Sequence, residues 1–197
     1  QTEDFRFQGL FSVGTLSYVW GKLYRKEFLD KNQIWFSDIT YAEDKLFNMQ
    51  CCLGGARYAF LDDIGYIYRR NEQSISYQYN PNLKECWLEM VALLKRYVRM
   101  QQWENEKKAE CVKDSAIGLI EYILFFGIFF SAKMEYTGGS GTVKSVRKLI
   151  KEYHKEPLVR KVFIRLTKDS RIRDLSQFHW RVMIRIFSIA INWHLYG

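Results

Sequence analysis

The chain has 197 residues, 48% of them hydrophobic, and a net charge of +8. Only two prolines and a 17% share of aromatic residues argue against a disordered chain, and the length predicts one globular domain, or one domain with an appendage. No metal site is predicted, because neither the cysteines nor the histidines have ligand spacing, and the cysteines are expected to be buried thiols. These residues are Cys51, Cys52, Cys86 and Cys111, and His154, His179 and His194.

The positive charge is confined to the last part of the chain. Residues 141–197 hold 13 Lys/Arg and four Asp/Glu, a net charge of +9, whereas residues 1–80 carry −1 and residues 81–140 carry zero. A basic block of this kind favours an anionic surface such as phospholipid, a lipid-phosphate carrier or nucleic acid. A solvated helical face is the alternative. A nucleic-acid partner is not expected, because the chain lacks an RNA- or DNA-binding motif.

The first 80 residues are predicted to alternate short strands and helices. Aromatic and β-branched residues predict strands at 16–23, 57–61 and 64–68 and a short extended piece at 34–36. A short helix is predicted at 24–29. A longer helix is predicted at 43–53, with acidic residues in its first turn and Gly54-Gly55 at its end.

From residue 82 onward the apolar period is helical. We expect helices from about residue 82 to 98, and from about 104 to 132. The apolar half of the second, residues 117–130, is shorter than a membrane span and contains Glu121, which favours a buried central helix. Gly138-Gly139-Ser140-Gly141 is either a flexible connector or an engineered linker.

Three further helices are predicted after this connector, at 143–153, 158–166 and about 175–195. The last has a narrow polar stripe within an otherwise apolar helix, which is typical of a helix that is buried on most sides or lies in a membrane interface. The polar stripe consists of Arg181, Arg185, Ser188 and Asn192.

Three sequence blocks stand in a specific order in the first part of the chain. Residues 19–25 read V-W-G-K-L-Y-R, residues 41–47 read Y-A-E-D-K-L-F, and residues 65–76 read G-Y-I-Y-R-R-N-E-Q-S-I-S. Together they resemble the acceptor-side half of a family 2 glycosyltransferase, the inverting GT-A class that uses nucleotide-sugar donors. The resemblance covers about residues 15–80.

The resemblance implies a fold and a domain organisation. We expect an α+β chain that is mostly helical, with a partial GT-A sheet of a few strands at residues 1–80 and a helical extension at 81–197. The family's nucleotide-binding half is not recognised here. Neither a D-x-D motif nor a G-x-G-x-x-G or G-x-x-x-x-G-K-[ST] string occurs. The chain is therefore expected to be a fragment that is inactive alone.

The resemblance also implies roles for individual residues. Asp44 would be the catalytic base that takes the proton of the acceptor hydroxyl, and Glu43 would orient the acceptor or the base. Trp20 and Lys22 are expected near the acceptor, with core packing as the alternative for Trp20. The other four contacts are expected at the donor diphosphate, since arginine makes charge-assisted bonds to phosphate, and a basic turn is the alternative there. The expected substrate-binding residues are Trp20, Lys22, Arg69, Arg70, Ser74 and Ser76.

The expected function is transfer of a sugar from a nucleotide-sugar donor to a cell-surface glycan or glycolipid. The full-length enzyme would use Mg²⁺ or Mn²⁺, whereas this fragment would hold no cofactor. It would act in the cytoplasm, peripherally at the inner face of the cell membrane, and anionic membrane is a further expected partner. The alternative function is a non-catalytic helical module that docks on a membrane or a partner protein.

Overall fold

The computed structural model describes residues 17–69, 71, 73–74, 78–101, 113–114, 116–118, 120–173 and 178–195. Eight helices are defined in this part of the chain. They are α1 (Lys26–Lys31), α2 (Glu43–Leu53), α3 (Leu83–Met100), α4 (Ile123–Thr137), α5 (Val143–Lys155), α6 (Pro157–Lys168), α7 (Ser170–Arg173) and α8 (Phe178–Asn192).

The predicted α+β class with a partial GT-A sheet is wrong for the described part of the chain, which is helical and contains no strand. Residues 57–61 and 64–68 have the composition of strands but form no ladder. A strand is stabilised by hydrogen bonds to a neighbouring strand and by cross-strand side-chain pairs, and composition alone supplies neither. In this part of the chain, the apolar side chains Leu61, Ile64 and Ile67 stay exposed instead.

The helix predicted at residues 43–53 is confirmed as α2 with the same bounds. Two acidic residues occupy its first turn, where they complement the helix dipole. At its end, the N–H of Gly54 donates to the carbonyl of Gln50 at 2.8 Å, and Gly55 adopts a left-handed conformation with φ +84°. The two glycines therefore end the helix as their sequence predicts.

The chain divides into two compact units, of which the first comprises Gln1–Glu72 and Glu85–Ile123. One core cluster of this unit contains Ile34, Phe47, Cys51 and Tyr97. The predicted burial of the cysteines is confirmed for Cys51, Cys52 and Cys86, which are free thiols, whereas Cys111 lies outside the described residues. Phe47 and Cys51 belong to α2, so this helix packs into the core cluster of the first unit.

The second unit comprises Gln73–Lys84 and Leu124–Gly197. Its core contains rings from three helices. Phe125 of α4 lies 5.4 Å from Phe187 of α8 and 6.2 Å from Phe163 of α6, measured between ring centroids. Ser131 and Tyr153 join α4 to α5 through a buried hydroxyl–hydroxyl bond of 2.8 Å. The prediction of a catalytic part at 1–80 and an extension at 81–197 stays a prediction.

The connector at residues 138–141 forms a closed turn between α4 and α5. The N–H groups of Gly138 and Gly139 donate to the carbonyl of Met134, at 2.8 and 3.1 Å. The Glu135 carboxylate accepts from both the N–H and the hydroxyl of Ser140. A side chain at Gly139 would meet Glu135 at 2.8 Å, so this position requires glycine.

The long apolar helix of the chain is mostly buried. The helical stretch Ala116–Thr137, which includes α4, is long and apolar enough by length and composition to cross a membrane, and 71% of its most apolar window is buried. Phe126 contacts Trp180, and Phe129 contacts Phe187, so α8 covers part of this stretch.

Candidate functional site

The three sequence blocks that carry the resemblance meet in the first unit. The backbone N–H of Val19, in the first block, donates to Oδ2 of Asp44, in the second, at 3.4 Å. The indole of Trp20 stacks on Tyr66 and Tyr68 of the third block, with ring centroids 5.2 and 5.1 Å apart. Residues more than 40 positions apart in sequence therefore form one surface.

Asp44 is half-buried in the first turn of α2. It does not cap the helix, because the N-cap position is Ala42 and no side chain accepts a capping bond there. The carboxylate instead ties the 18–22 loop to the start of α2. This contact between the loop and α2 distinguishes Asp44 from an ordinary solvated helix start. The neighbouring Glu43 is exposed.

Lys22 lies close enough to Asp44 for the two charges to interact. Burial lowers the pKa of Lys22, and the negative charge of Asp44 opposes that shift. The ammonium also donates to the carbonyl of Tyr18 within the same loop. Asp44 therefore provides the anionic neighbour that stabilises a partly buried ammonium.

Four aromatic residues form a stacked cluster, and two of them flank Val19, whose N–H binds Asp44. Tyr18 lies 4.8 Å from Trp20, which in turn stacks on Tyr66 and Tyr68. The four residues of this aromatic cluster are each between 37% and 50% exposed. Sequence reasoning singled out Trp20 alone. The alternation in G-Y-I-Y, which places Tyr66 and Tyr68 on one side of an extended segment, was the signal that could have found the others.

A pair of hydrogen bonds fixes the first turn of α2 from the buried side. The Tyr24 hydroxyl donates to Oδ1 of Asn48 at 2.8 Å, and Nδ2 of Asn48 donates to the backbone carbonyl of Asp44 at 2.9 Å. Burial raises the pKa of Tyr24, so its hydroxyl stays protonated and able to donate. Tyr24 also packs edge-on against Phe47. These hydrogen bonds hold the backbone of Asp44 in position.

Lys45 was not expected to be buried. Its side chain is 7% exposed, and burial lowers its pKa to about 8. A charged residue directly after an acidic pair is typical of a solvated helix start, so no local pattern indicated that Lys45 would be buried. Its position shows that α2 turns its third residue into the protein while Glu43 faces solvent.

Of the other four predicted substrate-binding residues, two lie in the described part of the chain. Arg69 is exposed and belongs to the first unit, and Ser74 is half-buried and belongs to the second. Arg70 and Ser76 lie outside the described residues. Their contacts with a donor diphosphate stay predictions.

No group of three or more His, Cys, Asp or Glu side chains able to hold a metal occurs among the residues that the structure describes. Two of the histidines nevertheless meet, since the rings of His154 and His194 lie 4.4 Å apart between centroids. His179 packs against Trp180.

The residue before the acidic pair has a strained backbone. Ala42 adopts the left-handed conformation, with φ +61°, directly before Glu43 and Asp44. A Cβ atom in this region costs roughly 1–2 kcal/mol, and glycine has none. The strain lies where the chain turns into the helix that carries Asp44.

We expect Ala42→Gly to raise the free energy of unfolding by about 0.5–1 kcal/mol, because relief of the strain exceeds the added chain entropy of glycine. Urea unfolding should show a higher midpoint with an unchanged slope. Ala59→Gly is the matched control, since Ala59 is exposed and is absent from the left-handed residues of the described chain. A midpoint that falls equally in both variants would show that Ala42 is not strained.

Comparison with known proteins gives one informative relative. A segment of 70 residues is 39% identical to the uncharacterized glycosyltransferase EpsJ of Bacillus subtilis (strain 168). The match covers 34% of this chain and 20% of the relative's length. No family model and no solved structure matches the chain. Part of the chain is thus similar to part of a glycosyltransferase, which points to glycosyl transfer in general.

Proposed function

We propose that the chain is the acceptor-side part of an inverting family 2 glycosyltransferase of the GT-A type. The observation that carries the proposal is a set of contacts that links the three family-like blocks. The half-buried Asp44 carboxylate of the second block accepts from Val19 of the first, and the adjacent Trp20 stacks on Tyr66 of the third. The similarity to part of EpsJ supports the same reaction class independently of this geometry.

In the proposed mechanism, Asp44 takes the proton from the acceptor hydroxyl as its oxygen attacks C1 of the donor sugar. The new C1–O bond forms, and the bond between C1 and the leaving phosphate oxygen breaks with its electron pair going to the nucleoside diphosphate. A carboxylate suits the base role because it is ionised at pH 7 and can reach a hydroxyl. Attack opposite the leaving group inverts the configuration at C1.

We propose that the aromatic cluster of Tyr18, Trp20, Tyr66 and Tyr68 receives the acceptor. Exposed aromatic rings offer an apolar surface against which the C–H face of a sugar can pack. A glycan or a glycolipid headgroup would present such a face. Because Trp20 already stacks on three tyrosines, the sugar would meet the exposed surface of the cluster as a whole.

A divalent metal in the full-length enzyme stays a proposal that rests on the family resemblance. The described residues contain no group that fits Mg²⁺ or Mn²⁺, and the mechanism above routes no step through one. The role of this chain is to hold the acceptor and to remove its proton.

The proposal is tested by transfer assays with the full-length parent of this chain. Purified parent protein, a panel of uridine and guanosine diphosphate sugars and membrane glycolipid extract should give a product only when a donor is present. The anomeric configuration of the product, read by NMR, should be opposite to that of the donor. A product with retained configuration, or donor hydrolysis without any transfer, would contradict the assignment.

We further expect that residues 1–197 alone bind no nucleotide sugar with micromolar affinity. The sequence contains no phosphate-cradling glycine motif. Isothermal calorimetry with uridine and guanosine diphosphate sugars should show only heats of dilution. Micromolar binding that is retained in the chain would place the donor site within these 197 residues and overturn this part of the proposal.

A further inference from the structure

We propose that the exposed apolar face of α8 is a docking surface for an anionic lipid bilayer. The inference is independent of the proposed glycosyl transfer. It rests on a stripe of large apolar side chains that is exposed in the described part of the chain, together with the basic residues around it.

The apolar face of α8 that points to solvent is continuous. Its residues follow one another at spacings of four, four, three and four, which places them within one side of a helix. Their side chains are 69%, 37%, 63%, 44% and 74% exposed. We call them the apolar stripe: Phe178, Val182, Ile186, Ile189 and Trp193.

The opposite side of α8 packs against other helices of the second unit. Ile184, Ser188 and Ile191 are buried, and Phe187 packs against the rings of α4 and α6. Ser188, which belongs to the polar stripe of the sequence, is among the fully buried residues of this side. Large apolar residues therefore face solvent although the core of the unit is already packed.

Cations accompany the apolar stripe along α8. Arg185 is exposed and lies at the edge of the stripe. Arg181 lies 5.4 Å from the Phe178 ring in a cation–π contact, and its Nη1 donates to the carbonyl of Arg173 at 3.1 Å. An apolar face bordered by arginine is the pattern of a helix that lies in the interface of a membrane.

A second group of cations lies at the far end of the stripe. His194, next to Trp193, contacts His154 near the end of α5. Nη1 of Arg160 donates to the carbonyls of His154 and Lys155, at 2.9 Å each. The end of α5, to which the Arg160 guanidinium is bound, therefore contacts the residue that follows Trp193.

The rest of α5 continues the positive charge. Its exposed basic residues occur at helical spacing on the side opposite the buried Ile150 and Tyr153. Two acidic side chains occur in and next to this helix, and both pair with lysine, Glu152 with Lys155 and Glu156 with Lys84. The exposed basic residues are Lys144, Arg147, Lys148, Lys151 and Lys155.

Charge decides between a bilayer and a second copy of the chain. Pairing two apolar stripes would bring together two segments that each carry +9, so the like charges would repel. An anionic bilayer attracts the same charges and accepts the apolar side chains below its headgroups. Trp193 at the end of the stripe suits the headgroup region, where tryptophan is enriched.

The test is co-sedimentation of the full 197-residue chain with vesicles. One set contains phosphatidylcholine alone and the other an equimolar mixture of phosphatidylcholine and phosphatidylglycerol. We expect binding to the mixed vesicles and little to the neutral ones. Binding should weaken strongly at about 1 M salt, where the Debye length is about 3 Å.

Two matched variants separate the apolar stripe from general charge. Ile186→Asp places a carboxylate in the stripe and should weaken binding to the mixed vesicles about tenfold or more. Ile64→Asp makes the same change at an exposed isoleucine of the first unit and should leave binding within about twofold. Circular dichroism should show equal helix content in both variants.

Three outcomes would overturn the proposal. The first is equal binding of both variants, which would leave only unspecific charge attraction. The second is equally poor binding to both kinds of vesicle at low salt. The third is a dimer in sedimentation velocity that Ile186→Asp dissociates while vesicle binding is absent, which would assign the stripe to a second copy of the chain.

Discussion

Asp44→Asn in the full-length parent is expected to lower the rate of sugar transfer by roughly 10²–10⁴, the usual contribution of a general base. An asparagine has the size of aspartate, and its carbonyl oxygen can still accept the hydrogen bond from Val19. It has no carboxylate to receive the acceptor proton at pH 7. The variant therefore removes the proposed chemistry and keeps the contact that positions the 18–22 loop.

Two control variants make this result specific. Asp38→Asn removes an exposed carboxylate five positions before Glu43 and should leave transfer unchanged. Glu43→Gln removes the exposed neighbour and should lower the rate less than Asp44→Asn, because Glu43 would orient the acceptor or the base and not take the proton. Turnover is measured at saturating donor, and urea unfolding checks that each variant is folded. Unchanged turnover in folded Asp44→Asn protein would remove Asp44 from the mechanism.

The elements that could be predicted from the sequence are those with local signals. The bounds of α2 follow from its acidic first turn and its two closing glycines, both of which lie within the helix or next to it. The start of α5 follows Thr142, whose hydroxyl accepts from the N–H of Ser145 at 3.1 Å. Such capping bonds depend on residues a few positions apart, so a sequence contains all the information they need.

The predictions that failed depend on distant neighbours. Strands at 57–61 and 64–68 required partners that composition could not identify, and the described chain supplies none. The burial of Ser188 in α8 likewise depends on tertiary packing, since the adjacent Phe187 packs against Phe125 of α4.

The candidate site also combines a residue that local sequence predicted with a grouping that depends on distant contacts. Asp44 was found through its motif, whereas the aromatic cluster depends on Tyr66 and Tyr68 returning to Trp20 from more than 40 residues away. The buried state of Lys45 depends on how α2 is rotated against its core. Motif spacing gives the chemistry of individual groups, while their grouping follows from packing that no local pattern records.

A second large effect is expected from Lys95→Met, which should lower the free energy of unfolding by about 3–5 kcal/mol. Nζ of Lys95 lies 2.8 Å from Oε1 of Glu121, whose side chain is 2% exposed. This pair joins α3 to the helical stretch that begins before α4, within the first unit. Loss of the ammonium would remove the positive charge that lies 2.8 Å from a buried carboxylate, and this cost exceeds the net stabilisation from the pair itself.

The double variant Lys95→Met/Glu121→Gln should recover most of that loss, because it removes the buried negative charge together with its partner. Lys26→Met is the control, since the Lys26–Asp30 pair has the same chemistry but side chains that are 80% and 45% exposed. Its expected cost is below about 0.5 kcal/mol. Urea unfolding measures all three variants. If Lys95→Met costs no more than Lys26→Met, Glu121 is stabilised by other groups and the ion pair does not hold these helices together.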